Sequence, residues 1–393
     1  MMKYSYSSRT KNLQGDAIEA VLKYSSMPGY IPFSAGNPSV DSFPVDEIKE
    51  ISARILEEQP NIILQYNVTE GYHPFRDYLK GYLKKKYNVG KDFDDIVIIS
   101  GSQQASDLIS KGILNEGDTV LCDEITYMGF LNAFTSYGGR LKGIPMDDDG
   151  MNMEAFEKAL ETEKNVKMIY TIPNFQNPTG ITMPLAKRKK MYELAVKHNV
   201  IILEDNPYGD LRYSGEAIES IKSMDEEGCV VYVGSCSKVI APGLRIGYAV
   251  AAEPLIRKMI ECKQTSDVNS NLWGQEICYE YMTKYDYEGH LKFVCDLYAH
   301  KQKIMFDAFK KYLSGKMTWS KVEGGLFAWC ILPEEINMNE FCQKALEKEK
   351  VCVVPGDVFS AEASIPCNGF RVNFSTPSVE QIEEGVKRLA RLI

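Results

Sequence analysis

Between about residue 45 and residue 255, short β-branched and apolar runs alternate with stretches patterned as helices, and this alternation narrows the possible folds most. The runs Asp95–Ser100 (DIVIIS), Thr119–Asp123 (TVLCD), Arg140–Pro145 (RLKGIP) and Val166–Pro173 (VKMIYTIP) read as strands. So do Val200–Asp205 (VIILED), Val230–Gly234 (VVYVG) and Ile246–Ala251 (IGYAVA), while Gln103–Leu114 and the charged stretch Pro184–His198 read as helices. Strands that are apolar throughout predict a sheet covered on both faces. Separated by helices, they make an α/β domain with a mostly parallel sheet. Ligands of such sheets gather at the carboxyl ends of the strands. That rule directs attention to Gly101–Gln103, Asn174–Gly180, Asp205–Tyr208 and Ser235–Lys238.

After residue 285 the rhythm changes. A long charged helix, Tyr287–Tyr312, leads to the strand Gly324–Leu332 (GGLFAWCIL), short strands at Val351–Val354 and Phe370–Phe374, and a closing helix from Ser378 to Leu392. With 393 residues the chain exceeds one compact core. The expected organisation is an N-terminal arm (1–45) packing with the small domain, a large domain (46–285) and a small α+β domain (286–393). A net charge of −9 argues against nucleic acid as the main partner. Ten cysteines without a CxxC pair do not make a disulfide scaffold, and histidines at 73, 198, 290 and 300 have no metal-ligand spacing, so no metal is expected. No apolar run approaches the roughly 18 residues of a membrane helix. The opening MMKYSYSSRT lacks the apolar core of a secretory signal, so the expected location is cytoplasmic and reducing.

Lys238 follows the apolar strand VVYVG in the segment Gly234-Ser235-Cys236-Ser237-Lys238. A lysine at a buried strand end is costly to desolvate in its charged form, which frees its amine as a nucleophile. Taken alone it is better explained as a solvated loop residue. Its neighbours Ser235, Ser237 and Arg245 change that, because two hydroxyls and a guanidinium suit a phosphate held from several directions. Gly101-Ser102-Gln103 opens into a helix, where backbone N–H groups and the dipole favour an anion. Asp205 closes VIILED; it is either a turn residue before Asn-Pro or a buried carboxylate in need of a cation. Asn177, Tyr208 and Tyr127 are each, singly, as well explained by turns and packing. Cys236 and Cys122 read as packing residues, and the run Lys187-Arg188-Lys189-Lys190 as a solvated basic face.

Together the motifs PNFQNPTG, EDNPY, and SCSK followed by PGLRIGY resemble the fold-type I pyridoxal-phosphate aminotransferases of class I/II. LQYNVTEGYHPFRDYL, SGSQQASDLISKGILNEGDTVLCDEITYMG and GFRVNFS extend the likeness from about residue 30 to the end, and it is strongest to the 2-aminoadipate, kynurenine and multi-substrate branch. The resemblance implies a three-layer αβα large domain with a mostly parallel mixed sheet, plus a smaller α+β domain. It implies pyridoxal 5'-phosphate as cofactor and a ping-pong transfer from an L-amino acid to a 2-oxo acid, 2-oxoglutarate foremost.

Each role follows from the same likeness. Lys238 would form the Schiff base and then serve as general acid and base. Asp205 would pair with the ring nitrogen, Asn177 and Tyr208 would bond the ring's 3-oxygen, and Tyr127 would stack on its face. Ser102, Gln103, Ser235, Ser237 and Arg245 would hold the phosphate, joined by Tyr66 across a homodimer interface. Arg371, with Asn177, would take the substrate carboxylate, and Gly36 in SAGNP would offer a backbone N–H from a closing loop. Glu19 aligns where relatives that accept dicarboxylic substrates carry a basic residue, which disfavours a second substrate carboxylate. Two other outcomes stand beside transamination: β-elimination or another lyase reaction from the same cofactor, and a non-catalytic cofactor-binding regulator. About 30 residues precede the matching region, few for a DNA-binding domain. The tyrosine-rich stretch Tyr279–Tyr287 fits a helix at a domain junction or subunit interface.

Overall fold

The computed structural model describes residues 3–10, 13, 23–362 and 367–393, so Glu19 and its neighbours lie outside the described residues. The large sheet contains β1 (Asp94–Ile99), β2 (Thr119–Asp123), β3 (Arg140–Ile144), β6 (Val166–Thr171), β7 (Ile201–Asp205), β8 (Val230–Ser235) and β9 (Gly247–Ala252). A small hairpin, β4 (Met146–Asp147) and β5 (Gly150–Met151), projects after β3. The order across the sheet is β1-β9-β8-β7-β6-β2-β3. Pairings from β8 through β3 are parallel, while β9 runs antiparallel to both β8 and β1.

Successive residues of each central strand bury on opposite faces, which is why these strands are apolar throughout. Leu121, Ile169, Ile202 and Val230 pack with Phe156, Met191 and Leu194 of the helices Met153–Thr162 and Leu185–His198. Their strand neighbours Val120, Met168, Leu203 and Val231 belong to the other core, with Leu108 and Ile109 of helix Gln103–Ile113 and with Phe130 and Phe134 of helix Met128–Ser136. The result is the expected three-layer αβα arrangement.

One expectation fails on the covering helix. Arg188 is not part of a solvated basic face. It is fully buried, donating to the carbonyls of Met183, Pro173, Ile218 and Glu219 and to Asn174 Oδ1. The guanidinium has enough donors to satisfy loops that offer only acceptors, and a run of four basic residues conceals that one of them points inward.

Helix Tyr287–Leu313 has 27 residues, about 40 Å at helical rise, and leads to the second sheet. That sheet has the order β10-β11-β13-β12, from β10 (Thr318–Trp319), β11 (Phe327–Ile331), β12 (Val354–Pro355) and β13 (Gly369–Asn373), all antiparallel. The predicted strand Val351–Val354 shrinks to β12, because Val351 instead bridges to Ile31 of the N-terminal arm. The closing helix spans Val379–Leu389, opening on a reciprocal cap between Ser378 and Gln381. The arm follows the second sheet: Cys352 N donates to Ile31 O at 2.9 Å and Asn373 N to Phe33 O at 2.7 Å. The tyrosine-rich stretch spans the end of helix Leu272–Lys284 and the start of the next helix, with the Tyr279 ring edge-on to Tyr72, Phe75 and Tyr78. Among the described residues no helix is long and apolar enough to cross a membrane.

Candidate active site

The parallel strands end at one edge of the large sheet, and the antiparallel β9 begins there, since Ile99 of β1 and Ser235 of β8 both register with Gly247. The reversal brings Arg245, two residues before β9, to the edge where the other strands end. A cavity of about 430 Å³ opens there, bounded on its other side by the second sheet and the N-terminal arm. It is lined by Gly36, Ser102, Gln103, Tyr127, Asn177, Asp205, Tyr208, Ser235, Ser237, Lys238, Arg245 and Arg371, which places every site residue expected from the sequence together except Tyr66. Tyr66 stands at the surface, 81% exposed.

The anion cradle is built by close backbone approach. Gly101 has φ +77°, a left-handed conformation that favours glycine, and a Cβ there would press on the Arg245 guanidinium. Arg245 donates to Ser100 O and Pro242 O, each at 3.2 Å. Opposite, Ser237 N donates to Ser235 Oγ at 3.1 Å, fixing that hydroxyl at the strand end. The Gln103 side chain turns away to Gly129 O at 2.7 Å, which leaves its backbone N–H, in the first helical turn, as its contribution to an anion.

Asp205 is 1% exposed, and its Oδ1 finds no partner among the described residues. Tyr170 OH donates to Oδ2 at 3.3 Å. Burial raises the Asp205 pKa to about 7, against the hydrogen bond from Tyr170 and the charge of Lys238. A buried carboxylate oxygen with nothing to bond is a costly feature unless a cation or N–H donor belongs there. Lys238 Nζ donates to Gly36 O at 2.8 Å. Desolvation, reinforced by the positive charges of Arg371 and Arg245, lowers its pKa to about 8, with Asp205 pulling the other way. Burial raises the Tyr208 and Tyr127 hydroxyls above their ordinary range, so both stay protonated donors at neutral pH.

Arg371 sits in β13, in register with Trp329 of β11 and Val354 of β12. Its guanidinium lies over the rings of Phe327 and Phe359, at 4.3 and 4.9 Å from the centroids. Nη1 donates to Asn177 Oδ1 at 2.8 Å and Nη2 to Ser34 O at 2.7 Å, while the buried Nε has no partner among the described residues. Burial lowers its pKa to about 10, which leaves it charged at neutral pH.

Sequence reasoning missed several supports. Gln176 donates to Ile125 O at 2.6 Å and accepts from Thr179 N and Oγ1, so it ties the Asn177 loop to the segment that carries Tyr127. The arm is held by Lys301, buried on the long helix, which donates to Ser39 Oγ and Ser375 O, and by Ser375 Oγ donating to Asn37 O. Phe327, Phe359 and Val354 form an apolar wall around Arg371. GGLFAWCIL was legible as a strand, but nothing local marks Phe327 as facing a cavity.

The sequence profile of the family described as "Aminotransferase class I and II" matches residues 28–389. An aromatic-amino-acid aminotransferase from Thermococcus litoralis is 39% identical, covering 99% of this chain and 94% of its own length. A 2-aminoadipate transaminase from Thermus thermophilus is 33% identical, over 97% of this chain and 94% of its own. Among solved structures, a kynurenine aminotransferase of Pyrococcus horikoshii, in complex with PMP, superposes with a TM-score of 0.94 at 37% identity, covering 98% of this chain and 96% of that one. With the cavity, its bare carboxylate oxygen and its lysine in place, the chain belongs to the class I and II aminotransferases.

Proposed function

We propose that the protein moves an amino group from an L-amino acid to a 2-oxo acid, 2-oxoglutarate foremost, with pyridoxal 5'-phosphate held in the cavity. The observation that carries this reading is the convergence of Lys238, the unpartnered Oδ1 of Asp205 and the buried Arg371 in one cavity. The residues present fit the cofactor: the Gly101 turn, Ser235, Ser237 and Arg245 suit its phosphate, and Asp205 suits a protonated ring nitrogen. Asn177 and Tyr208 would hold its ring oxygen, and Tyr127 its face. Bound there, the cofactor supplies an electron sink for the electrons left when the substrate α-proton departs. Lys238 anchors the cofactor through its amine, then takes that proton and returns it. Arg371 orients the substrate carboxylate, displacing contacts it now makes with Ser34 O or Asn177. The donor leaves as its 2-oxo acid before the acceptor enters, so the two substrates use one site in turn.

The wall of Phe327, Phe359 and Val354 and the names of two of the relatives favour aromatic donors, while a third relative is named for 2-aminoadipate. The test is a donor screen on the cofactor-loaded protein, with 2-oxoglutarate and pyruvate as acceptors. Formation of the donor's 2-oxo acid, fastest with aromatic donors, is the expected result. Ammonia with pyruvate from a β-substituted donor would instead identify elimination. No 2-oxo acid from any of the twenty amino acids would remove the transaminase reading.

A further inference from the structure

We propose that Asp267, neutralised by Lys263, is a positioning residue that sets the phosphate-binding turn at the end of β1. The inference rests on the cofactor reading above and concerns residues outside the cavity lining. The turn Gly101–Gln103 is flanked by Ser100 and Gln104, and one carboxylate holds both flanks. Ser100 Oγ donates to Asp267 Oδ2 at 3.0 Å, and Gln104 Nε2 donates to the same oxygen at 2.9 Å. Gln104 Oε1 accepts from Ser100 N at 2.8 Å, which closes the ring of bonds around the turn. Ser100 O is also the acceptor for Arg245 Nη2, so the residue that Asp267 grips is the one that steadies the cation of the cradle.

Electrostatics shows why this acid is tolerated. A carboxylate behind an anion site is adverse on its own. Lys263, fully buried, cancels it: Nζ lies 2.6 and 2.8 Å from the two carboxylate oxygens and 3.1 Å from Gln104 Oε1. What the pair contributes to the phosphate is therefore position rather than charge. Burial works to raise the Asp267 pKa, but the hydrogen bonds from Lys263, Gln104 and Ser100 outweigh it and leave the group below the ordinary carboxylate value.

The backbone gives an independent sign. Val268, next to Asp267, has φ +65°, a left-handed conformation that a β-branched residue rarely adopts. Its side chain is 49% exposed, so core packing does not force the conformation. Asp267 N and Val268 N both donate to Lys263 O, at 3.1 and 3.2 Å. The turn after helix Glu253–Gln264, with Val268 left-handed, thus carries the carboxylate to Ser100 and Gln104.

The experiment compares equilibrium binding of pyridoxal phosphate and of pyridoxal, which lacks the phosphate, to the full-length cofactor-free chain. Asp267→Asn should weaken pyridoxal phosphate about tenfold while pyridoxal stays within about twofold, and inorganic phosphate should compete less well. Ser100→Ala, which deletes one bond of the ring, should shift the same ratio in the same direction by less, and it decides the matter if Asp267→Asn does not fold by circular dichroism. Equal losses for both ligands would mean a general structural role and overturn the inference, as would no loss at all. A wild-type chain that takes up neither ligand would overturn the functional reading and this inference with it.

Discussion

Lys238 and Asp205 face one another with pKa values moved toward each other, down to about 8 and up to about 7. Burial drives both shifts, because each charge alone is disfavoured in the cavity. The lysine therefore turns neutral, and nucleophilic, well below the 10.5 of a free side chain. In the cofactor-free protein, the rate of pyridoxal capture should rise with pH to a midpoint near 8. Arg371 is the charge that most depresses the lysine after burial, so Arg371→Met should move that midpoint upward. A midpoint at the free-lysine value in the wild type, or one unmoved by the substitution, would refute this account. The same shift has a stability sign. Between about pH 8 and 10.5 the unfolded chain binds the proton that the folded lysine has lost, so this group makes folding more favourable as pH rises through that window. At this scale the chemistry-bearing residues were legible, since a lysine among serines after an apolar strand and an acid before Asn-Pro are local patterns. Tyr170, Ser34 O and Phe327 were not legible, because their roles come from two strands and an arm segment that meet only in the folded molecule.

Elements carry the next level of constraint. The apolar runs announced the central strands within a residue or two, and the need to cover both faces announced the layers. The antiparallel direction of β9 has no local signature, because a strand buried on both faces has the same composition whichever way it runs. That reversal nonetheless delivers Arg245 to the site. Arg188 is the opposite case, a residue whose sequence context misleads. Its guanidinium joins helix Leu185–His198 to the carbonyls of Pro173, Met183, Ile218 and Glu219 and to Asn174, three residues before Asn177. Arg188→Met takes the donor from the buried Met183 O and Asn174 Oδ1 and from the part-buried bonds at Ile218 and Glu219, while Pro173 O keeps the Met183 N–H; hydrogen bonds to a charged group contribute about 1.5–3 kcal/mol each. The expected loss is about 3 kcal/mol or more, read as a lowered urea midpoint at unchanged slope. Cofactor retention should fall with it, since Asn174 loses one of its two side-chain bonds and keeps only that to Asn206. A loss under about 1 kcal/mol, typical of exposed substitutions, would restore the solvated reading of this basic run.

For the whole molecule, the informative feature is one that the cavity does not contain. Along residues 62–68, Ile62, Leu64, Tyr66 and Val68 are 53%, 70%, 81% and 40% exposed, a run of large apolar side chains that face solvent in the single chain. The far end of this segment is firmly held. Ile98 N donates to Glu70 O at 2.9 Å and Tyr72 N to Gln275 Oε1 at 2.8 Å. Gly71 packs so tightly that a Cβ would fall 2.4 Å from Ile98. A pinned protrusion with an apolar tip is what an interface with a second copy needs, and isologous dimers are the commonest way to cover such a patch. The dimer that the resemblance implies would place Tyr66 against the partner's phosphate cradle, so assembly and cofactor retention should be coupled. The wild-type chain should sediment as a dimer. Leu64→Asp puts a charge into the patch that a second copy would cover and should yield monomers that lose cofactor on dilution. Tyr66→Phe keeps the apolar surface, so it should remain dimeric yet weaken cofactor binding, by up to about tenfold for one lost hydrogen bond. Sedimentation and cofactor retention measured on both variants separate the two contributions. A fully active monomer, or a Tyr66→Phe dimer with unchanged affinity, would show that each chain completes its own phosphate site.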